Sequence, residues 1–268
     1  MLKLTKIFRD EFGHTDKNFG QHFLVNDHYL NEIVESLEIS DEKNIVEIGP
    51  GCGALTLKFL EKGAHVTAVE IDKKLVDFLE RYLFFYNNLE IIHDDFLNID
   101  KYQLPPQFSF AGNLPYNLST KILMKTTAFH ERIDKMVFMF QKEVASRINA
   151  VPNTKDYSWI SVISRYFFDI KKIRNIGGGN FWPKTKVNST VLVFTPRKRH
   201  FQDSNREKKF LEMVKKSFVT KRKTLKNNLK NEIPDIENIL EELFANKSIR
   251  AEQISLEGFI KLYERIYT

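Results

Sequence analysis

Short apolar runs alternate with amphipathic stretches through the first two-thirds of the chain. Asn44–Ile48 and His65–Glu70 read as strands, and the glycine-punctuated Gly49–Gly53 as a tight loop. Ala54–Lys62 and Lys73–Leu83 carry the helical period. Glu90–His93, Phe108–Ala111 and Asp134–Phe140 predict three more strands, the last followed by a helix from Lys142. Strands separated by helical patterns imply βαβ units, hence an α/β fold around a parallel sheet. Further on, Lys171–Ile176 and Thr190–Thr195 predict a pair of strands joined by a loop rich in Gly and Pro. Residues 206–230 and 235–267 then predict helices only. Phe210, Val214 and Phe218 form one helical stripe, the mark of core packing. The loss of strands predicts a boundary at Pro196, with an α/β domain over 1–196 and a small all-helical domain over 197–268.

Composition narrows the class. With 42% hydrophobic residues in 268, the chain can bury a core. Its apolar runs, Met136–Phe140 being typical, fall far short of the roughly 18 residues a membrane span needs, so no membrane partner is expected. The first residues lack an apolar stretch and hold Asp10, Glu11 and Asp16, unlike an organelle transit peptide. One cysteine, Cys52, excludes a disulfide framework, a zinc cluster and an iron–sulfur cluster, so no metal site is expected. A reducing cytoplasm is the expected compartment.

The formal charge is +6, and its distribution says more than its size. Residues 1–196 balance to zero, 197–230 hold 13 basic against three acidic side chains, and 231–268 are net acidic by four. A neutral body carrying a basic segment attracts a polyanion with an affinity that falls with salt.

Glu47–Gly53 ends a strand and opens a helix, with glycines at 49, 51 and 53. Glycine lets a ligand lie against the backbone. The dinucleotide fingerprint is G-x-G-x-x-G, whereas the spacing here is G-x-G-x-G, one place short for a pyrophosphate on the helix N-terminus. Glu70, at the end of the second strand, is placed to accept ribose hydroxyls. Ribose recognition without pyrophosphate recognition points to an adenosine ligand lacking phosphates, S-adenosyl-L-methionine being the candidate. Asp94 and Asp95 follow the third strand, where an acid can accept the amino group of an adenine. Asp95 is favoured, and a turn-capping role is the plain alternative for either.

Gly112–Asn117 reads Gly-Asn-Leu-Pro-Tyr-Asn directly after the fourth strand. Asn-x-Pro-aromatic at that place resembles the signature of methyltransferases that act on the amino groups of adenine or cytosine. An exocyclic amine is a poor nucleophile because its lone pair is delocalised into the ring. The Asn113 side-chain oxygen and the Leu114 carbonyl can accept its two N–H bonds and favour a pyramidal nitrogen. Pro115 fixes the turn, and Tyr116 can stack on a base drawn out of its helix or loop. Such catalysis is mostly positioning and needs no His or carboxylate base. Methylation at pyrimidine carbon-5 would need a cysteine nucleophile, and the one cysteine lies in the glycine loop.

With Phe19–Leu24, Glu47–Gly51 and Asn113–Ser119, the motifs Gln141–Ala145, Phe181–Val187, Lys221–Leu225 and Arg250–Glu252 occur in the order of a known family. Over residues 17 to 260 the chain resembles the KsgA-type ribosomal RNA adenine dimethyltransferases. The resemblance implies a class I, Rossmann-like methyltransferase domain and a helical C-terminal domain that binds RNA. It implies transfer of four methyl groups from S-adenosyl-L-methionine to two adjacent adenosines in the 3′-terminal hairpin loop of small-subunit rRNA, during subunit assembly, by a monomer. Cofactor contacts carried over by position are His22, Leu24, Gly49, Gly51, Glu70, Asp95 and Asn113. The base-handling set is Asn113, Leu114, Pro115, Tyr116 and Phe181, with a buried-core role as the alternative for Phe181. Lys221, Arg222 and Lys223 are the expected RNA contacts. Departures from the family pattern are His22 where asparagine is frequent, Leu118, Trp182, Thr185, and Lys221 for an arginine. Macrolide-resistance enzymes share the tetrapeptide but modify large-subunit rRNA, and the Lys221–Leu225 and Arg250–Glu252 motifs favour the small subunit. A non-catalytic RNA-binding assembly or transcription factor would have lost Asn113, Tyr116 or the glycine loop. A nicotinamide dehydrogenase fails on glycine spacing.

Overall fold

The computed structural model describes residues 3–13, 21–40 and 42–267, so Phe19 and Gly20 of the first expected motif lie outside the described residues. Its sheet is built from β2 (Asn44–Ile48), β3 (His65–Glu70), β4 (Leu89–His93), β5 (Phe108–Asn113), β6 (Ile133–Gln141), β7 (Phe168–Ile176) and β9 (Ser189–Pro196). The order is β4-β3-β2-β5-β6-β9-β7, with β4 through β6 parallel and β9 antiparallel to β6. All seven predicted strands are present. The two late strands are neighbours, and they make the sheet mixed rather than purely parallel. From β2 the chain winds outward through β3 and β4, then returns to β5 on the other flank. The crevice at the carboxyl ends of β2 and β5 is therefore the switch point where ligands settle in open α/β sheets.

Helices α3 (Ala54–Glu61) and α4 (Lys73–Leu83) fall where the pattern puts them. Asp72 caps α4 by accepting from the Lys74 amide at 3.0 Å. Helices α1 (Leu4–Phe12), α2 (Asp27–Ser36) and α5 (Ser119–Thr126) are additional. α1 buries Leu4 and Phe8 in the core, and Asn26 caps α2. A two-stranded ribbon pairs β1 (Phe23–Leu24) antiparallel with β8 (Phe181–Trp182), strands too short to show as a periodicity.

The chain forms two compact units, Met1–Ala145 with Lys171–Pro196 and Ser146–Ile170 with Arg197–Thr268. The expected division at 196 thus misses Ser146–Ile170, which packs with the second unit. That segment holds α7 (Trp159–Phe167), whose buried face carries Ile160, Ile163 and Tyr166. No charge step marks its start, so composition could not reveal it. α6 (Lys142–Ile148) precedes it.

Within the second unit the two long predicted helices are each broken. α8 (Ser204–Ser217) stops before Phe218, and α9 (Leu225–Leu229) restarts with Thr224 as its cap. The Asn228 side-chain nitrogen donates to the Ser217 carbonyl at 2.7 Å and the Thr220 carbonyl at 3.3 Å, satisfying groups the helix end leaves open. α10 (Ile236–Phe244) ends at Ala245 in the left-handed region, and α11 (Leu256–Tyr267) follows a short 3-10 turn. Phe210 and Val214 are fully buried, as the stripe predicts, and Phe218 packs half-buried against Tyr157 and Phe259.

Two features tie the sheet to the glycine loop. Gly112 lies against β2: a methyl group there would come within 2.6 Å of the Ile48 carbonyl oxygen. Glu47 is buried, and its carboxyl accepts from the Thr56 hydroxyl of α3 at 2.6 Å. Burial pushes the Glu47 carboxyl up to about 8 against the opposing Thr56 bond, and the nearby Glu70 charge pushes the same way.

Gly112→Ala should cost about 1–3 kcal/mol as the strands are forced apart, read as a lower denaturant midpoint. For Glu47 the folded chain holds its proton up to about 8, whereas the unfolded chain releases it near 4.5. Stability should therefore fall as pH rises through that window, because the unfolded state binds fewer protons. Glu47→Gln should flatten that fall in unfolding experiments across pH, leaving the part due to Glu70, which burial raises in the same direction.

Candidate active site

A cavity of about 330 Å³ opens at the carboxyl ends of β2, β3, β4 and β5. The glycine loop forms one wall. Gly49, Gly51 and Gly53 all have positive φ, +66°, +58° and +81°, a backbone only glycine adopts without strain. A side chain at Gly49 would meet no protein atom within 4 Å, so the missing Cβ keeps space open beside the cavity.

Glu70 holds this region together. Its side chain is 5% exposed, and three backbone amides donate to it: Gly51 at 3.1 Å, Ile71 at 3.0 Å and Asp72 at 3.0 Å. Burial raises its pKa, opposed by these amide bonds. A carboxylate has about four acceptor sites, so one remains on Oε2. A vicinal diol would take that site and compete with the Gly51 amide for a second. The same bond explains why a pyrophosphate does not fit: the Gly51 amide already faces a carboxylate.

The charge of the cavity points the same way. Glu70, Asp94 and Asp95 line it, and among the described residues no Lys or Arg does. An acidic wall disfavours phosphates and favours a cationic group such as a sulfonium or ammonium. Asp94 Oδ1 accepts from the Asp95 amide at 2.7 Å and the Asn98 side chain at 3.2 Å. Asp95 Oδ1 caps the next 3-10 turn through the Leu97 amide at 2.9 Å. Both aspartates do turn work, and each keeps its second oxygen free of protein donors among the described residues. Apolar wall comes from Ile71, Leu75 and Phe96. Ile71 is 45% exposed, and the signal for it was an isoleucine following the ribose-type acid.

Asn113 ends β5 at the cavity. Its amide nitrogen donates to the His22 carbonyl at 2.7 Å, which commits that end of the side chain and leaves Oδ1 to accept. The Leu114 amide donates to Met139 O at 3.2 Å, and the Leu114 carbonyl has no protein donor among the described residues. Pro115 and Tyr116 also line the cavity. The Tyr116 hydroxyl lies 3.2 Å from the Ser189 hydroxyl. Its ring faces His22 at a centroid distance of 6.3 Å and an angle of 25°. A base between them would need about 7 Å, twice a ~3.5 Å contact, so stacking on Tyr116 uses its other face. His22 lines the cavity and is held by the Pro183 carbonyl, 2.9 Å from its Nδ1.

Two expected site residues are elsewhere. Phe181 is 2% exposed in the hydrophobic core and does not line this cavity, so no face of its ring is open to a base here. Leu24 pairs with it across the β1–β8 ribbon and is equally buried. Both are apolar residues of one strand pair, and burial against each other keeps them out of this cavity. Cys52 is buried, 3.1 Å from the Thr5 hydroxyl, and burial pushes its thiol up to about 12, which makes it inert as a nucleophile.

Lys221, Arg222 and Lys223 sit in the exposed turn between α8 and α9. None forms an ion pair among the described residues, and Lys221 Nζ donates to the Lys155 carbonyl. Some other cations of the basic stretch are paired: Lys216 with Glu232 at 2.7 Å, Lys226 with Glu237 and Arg199 with Glu207 at 3.1 Å. The acidic end of the chain thus pairs with part of the basic stretch and leaves the triplet uncompensated. Among the described residues no metal-binding cluster occurs, and no helix is long and apolar enough to cross a membrane.

Comparison with known proteins agrees with this geometry. The ribosomal RNA small subunit methyltransferase A of Clostridium botulinum is 36% identical over 258 residues, 94% of each chain. That of Malacoplasma penetrans is 39% identical over 252 residues, covering 92% of this chain and 90% of its own. The crystal structure of a dimethyladenosine transferase from Plasmodium falciparum superposes with a TM-score of 0.78 at 26% identity, over 90% of this chain and 96% of that one. The family profile described as ribosomal RNA adenine dimethylase matches residues 14–267, and the chain belongs to that family.

Proposed function

We propose that the protein transfers methyl groups from S-adenosyl-L-methionine to the exocyclic amino groups of two adjacent adenosines in the 3′-terminal hairpin loop of 16S rRNA. It would do so in the cytoplasm, as a monomer, on an assembling small subunit. The observation that carries this reading is Asn113: its nitrogen is committed to the His22 carbonyl, so its oxygen faces the reaction as an acceptor.

The cofactor supplies, when bound, a sulfonium methyl that an amine can take. Glu70 would hold the ribose, Asp95 the adenine amino group, and Gly49 and Gly51 the room beside them. The acidic wall suits the positive sulfur. The target amine donates one N–H to Asn113 Oδ1 and one to the Leu114 carbonyl, which turns its lone pair out of conjugation. Tyr116 stacks on the extruded base, and Pro115 keeps the Leu114 carbonyl in place. As the N–C bond formed, the methyl–sulfur bond would break and leave a neutral thioether, and the amine would gain positive charge and lose its surplus proton to water. In this reading Phe181 supports the ribbon behind His22 rather than the base. The turn Lys221–Lys223 meets the rRNA backbone, where Arg222 offers the planar fork that Lys221 lacks. The small-subunit target rests on the two C-terminal motifs and on the names of the bacterial relatives.

Labelled-cofactor transfer to unmethylated small and large subunits, read by nucleoside mass spectrometry, tests the reading. Dimethyladenosine in the small subunit is expected, and label confined to the large subunit would overturn it. Asn113→Ala should lower methyl transfer by about 100-fold or more while RNA affinity stays within twofold. Full activity would remove Asn113 from the mechanism. Neutralising Lys221, Arg222 and Lys223 should weaken RNA binding and flatten its salt dependence by roughly 0.7–0.9 for each phosphate no longer neutralised. An unchanged slope would place the RNA elsewhere.

A further inference from the structure

A second cavity in the first unit, of about 410 Å³, has the opposite electrostatic character. Lys3, Lys6, Arg9, Lys58 and Lys184 line it, with Asp27 as the sole acid among the described residues. The net +4 stands out in a segment whose total is zero. Lys58 is 7% exposed and reaches Asp27 at 3.5 Å. Lys3, Lys6 and Lys184 are exposed and form no ion pair among the described residues. Beneath these cations the floor is apolar, made by Leu24, Leu57 and Trp182.

A cationic rim over an apolar, aromatic floor suits a nucleotide: phosphate at the rim, base against Trp182. The volume lies within the roughly 300–1,000 Å³ of small-ligand sites. The position adds the argument for RNA. The β1–β8 ribbon lies between the two cavities: Phe23 lines the acidic one, and Leu24, Phe181 and Trp182 line the basic one. A strand whose target base enters beside Asn113 has a cationic pocket across that ribbon for a neighbouring nucleotide. The His22 carbonyl that holds Asn113 belongs to the residue just before the ribbon.

We infer that this second cavity binds one nucleotide of the RNA substrate, its phosphate on Lys6, Arg9 and Lys184 and its base on the Leu24–Trp182 floor. The inference rests on the proposed RNA methylation and names a further contact of that substrate.

The test uses the full-length protein and an rRNA hairpin at several salt concentrations. The pair Lys6→Glu and Lys184→Glu should weaken binding about tenfold or more and lower the salt slope by about 0.7, for the one phosphate they hold. S-adenosyl-L-methionine affinity should stay unchanged, which also certifies the fold. Lys171→Glu with Lys172→Glu, the same charge change outside the pocket, should do much less. An equal effect of this control, or unchanged affinity and slope in the pocket variant, overturns the inference. Titration with adenosine monophosphate and with inorganic phosphate separates the sources. A nucleotide that binds the wild type and not the pocket variant, while RNA affinity is unaffected, makes this a free-nucleotide site and overturns the RNA assignment. Equal binding of inorganic phosphate makes the base contact wrong. Methyl transfer to small subunits by the wild-type protein is run alongside. Its absence counts against the proposed function, whereas its presence with an unaffected pocket variant counts against this pocket alone.

Discussion

The carboxylate of Glu70 is the constraint from which the active region is built. It ends β3 beneath solvent, and desolvation of a carboxylate is costly unless donors surround it. Three amides do so, from the glycine loop after β2 and from the two residues that lead into α4. One side chain thereby fixes the loop, the start of α4 through Asp72 and the rim of the cavity. Gly51 must be glycine for its amide to reach Glu70 with φ at +58° while Phe23 closes against its other side. Glu47, buried on β2, is hydrogen-bonded to α3, and the charge of Glu70 raises its proton affinity further.

Charge is organised locally rather than globally. The first 196 residues sum to zero, yet they enclose one acidic and one basic cavity on either side of a four-residue ribbon. An acidic cavity suits a cationic methyl donor and a basic one suits a polyanionic substrate, so opposite fields can sort the two reactants without a net charge. In the second unit the acidic end of the chain cancels Lys216 and Lys226. The exposed turn at 221–223 stays positive, since none of its three cations forms an ion pair among the described residues.

The ribbon links these features. β1 and β8 come from distant parts of the chain and share a stacked Phe23–Trp182 pair, 6.1 Å between centroids. Through the His22 carbonyl the ribbon orients Asn113, and through Pro183 it holds the His22 ring. The orientation of Asn113 is therefore set by residues far from it in the chain, His22 on one side and Pro183 on the other.

Strands, the glycine loop, Glu70 and the Asn113–Tyr116 turn were legible in the sequence. Each is a local pattern: alternation, a glycine spacing, a proline after an asparagine. The chemistry of amine methylation was implied by the resemblance of that turn to a known methyltransferase signature, and its residue types fit that chemistry. Tertiary structure alone decided what distance in the chain conceals. It placed Phe181 and Leu24 in the core, because apolar side chains in a short strand pair bury each other whatever motif they belong to. It moved Ser146–Ile170 into the second unit, because α7 has an apolar face and no charge step announces it. It broke the basic helix at Phe218, because Asn228 and Thr224 satisfy the backbone ends there. It gathered five cations from residues 3 to 184 around one cavity, since a sum along the chain carries no information about which charges fold together.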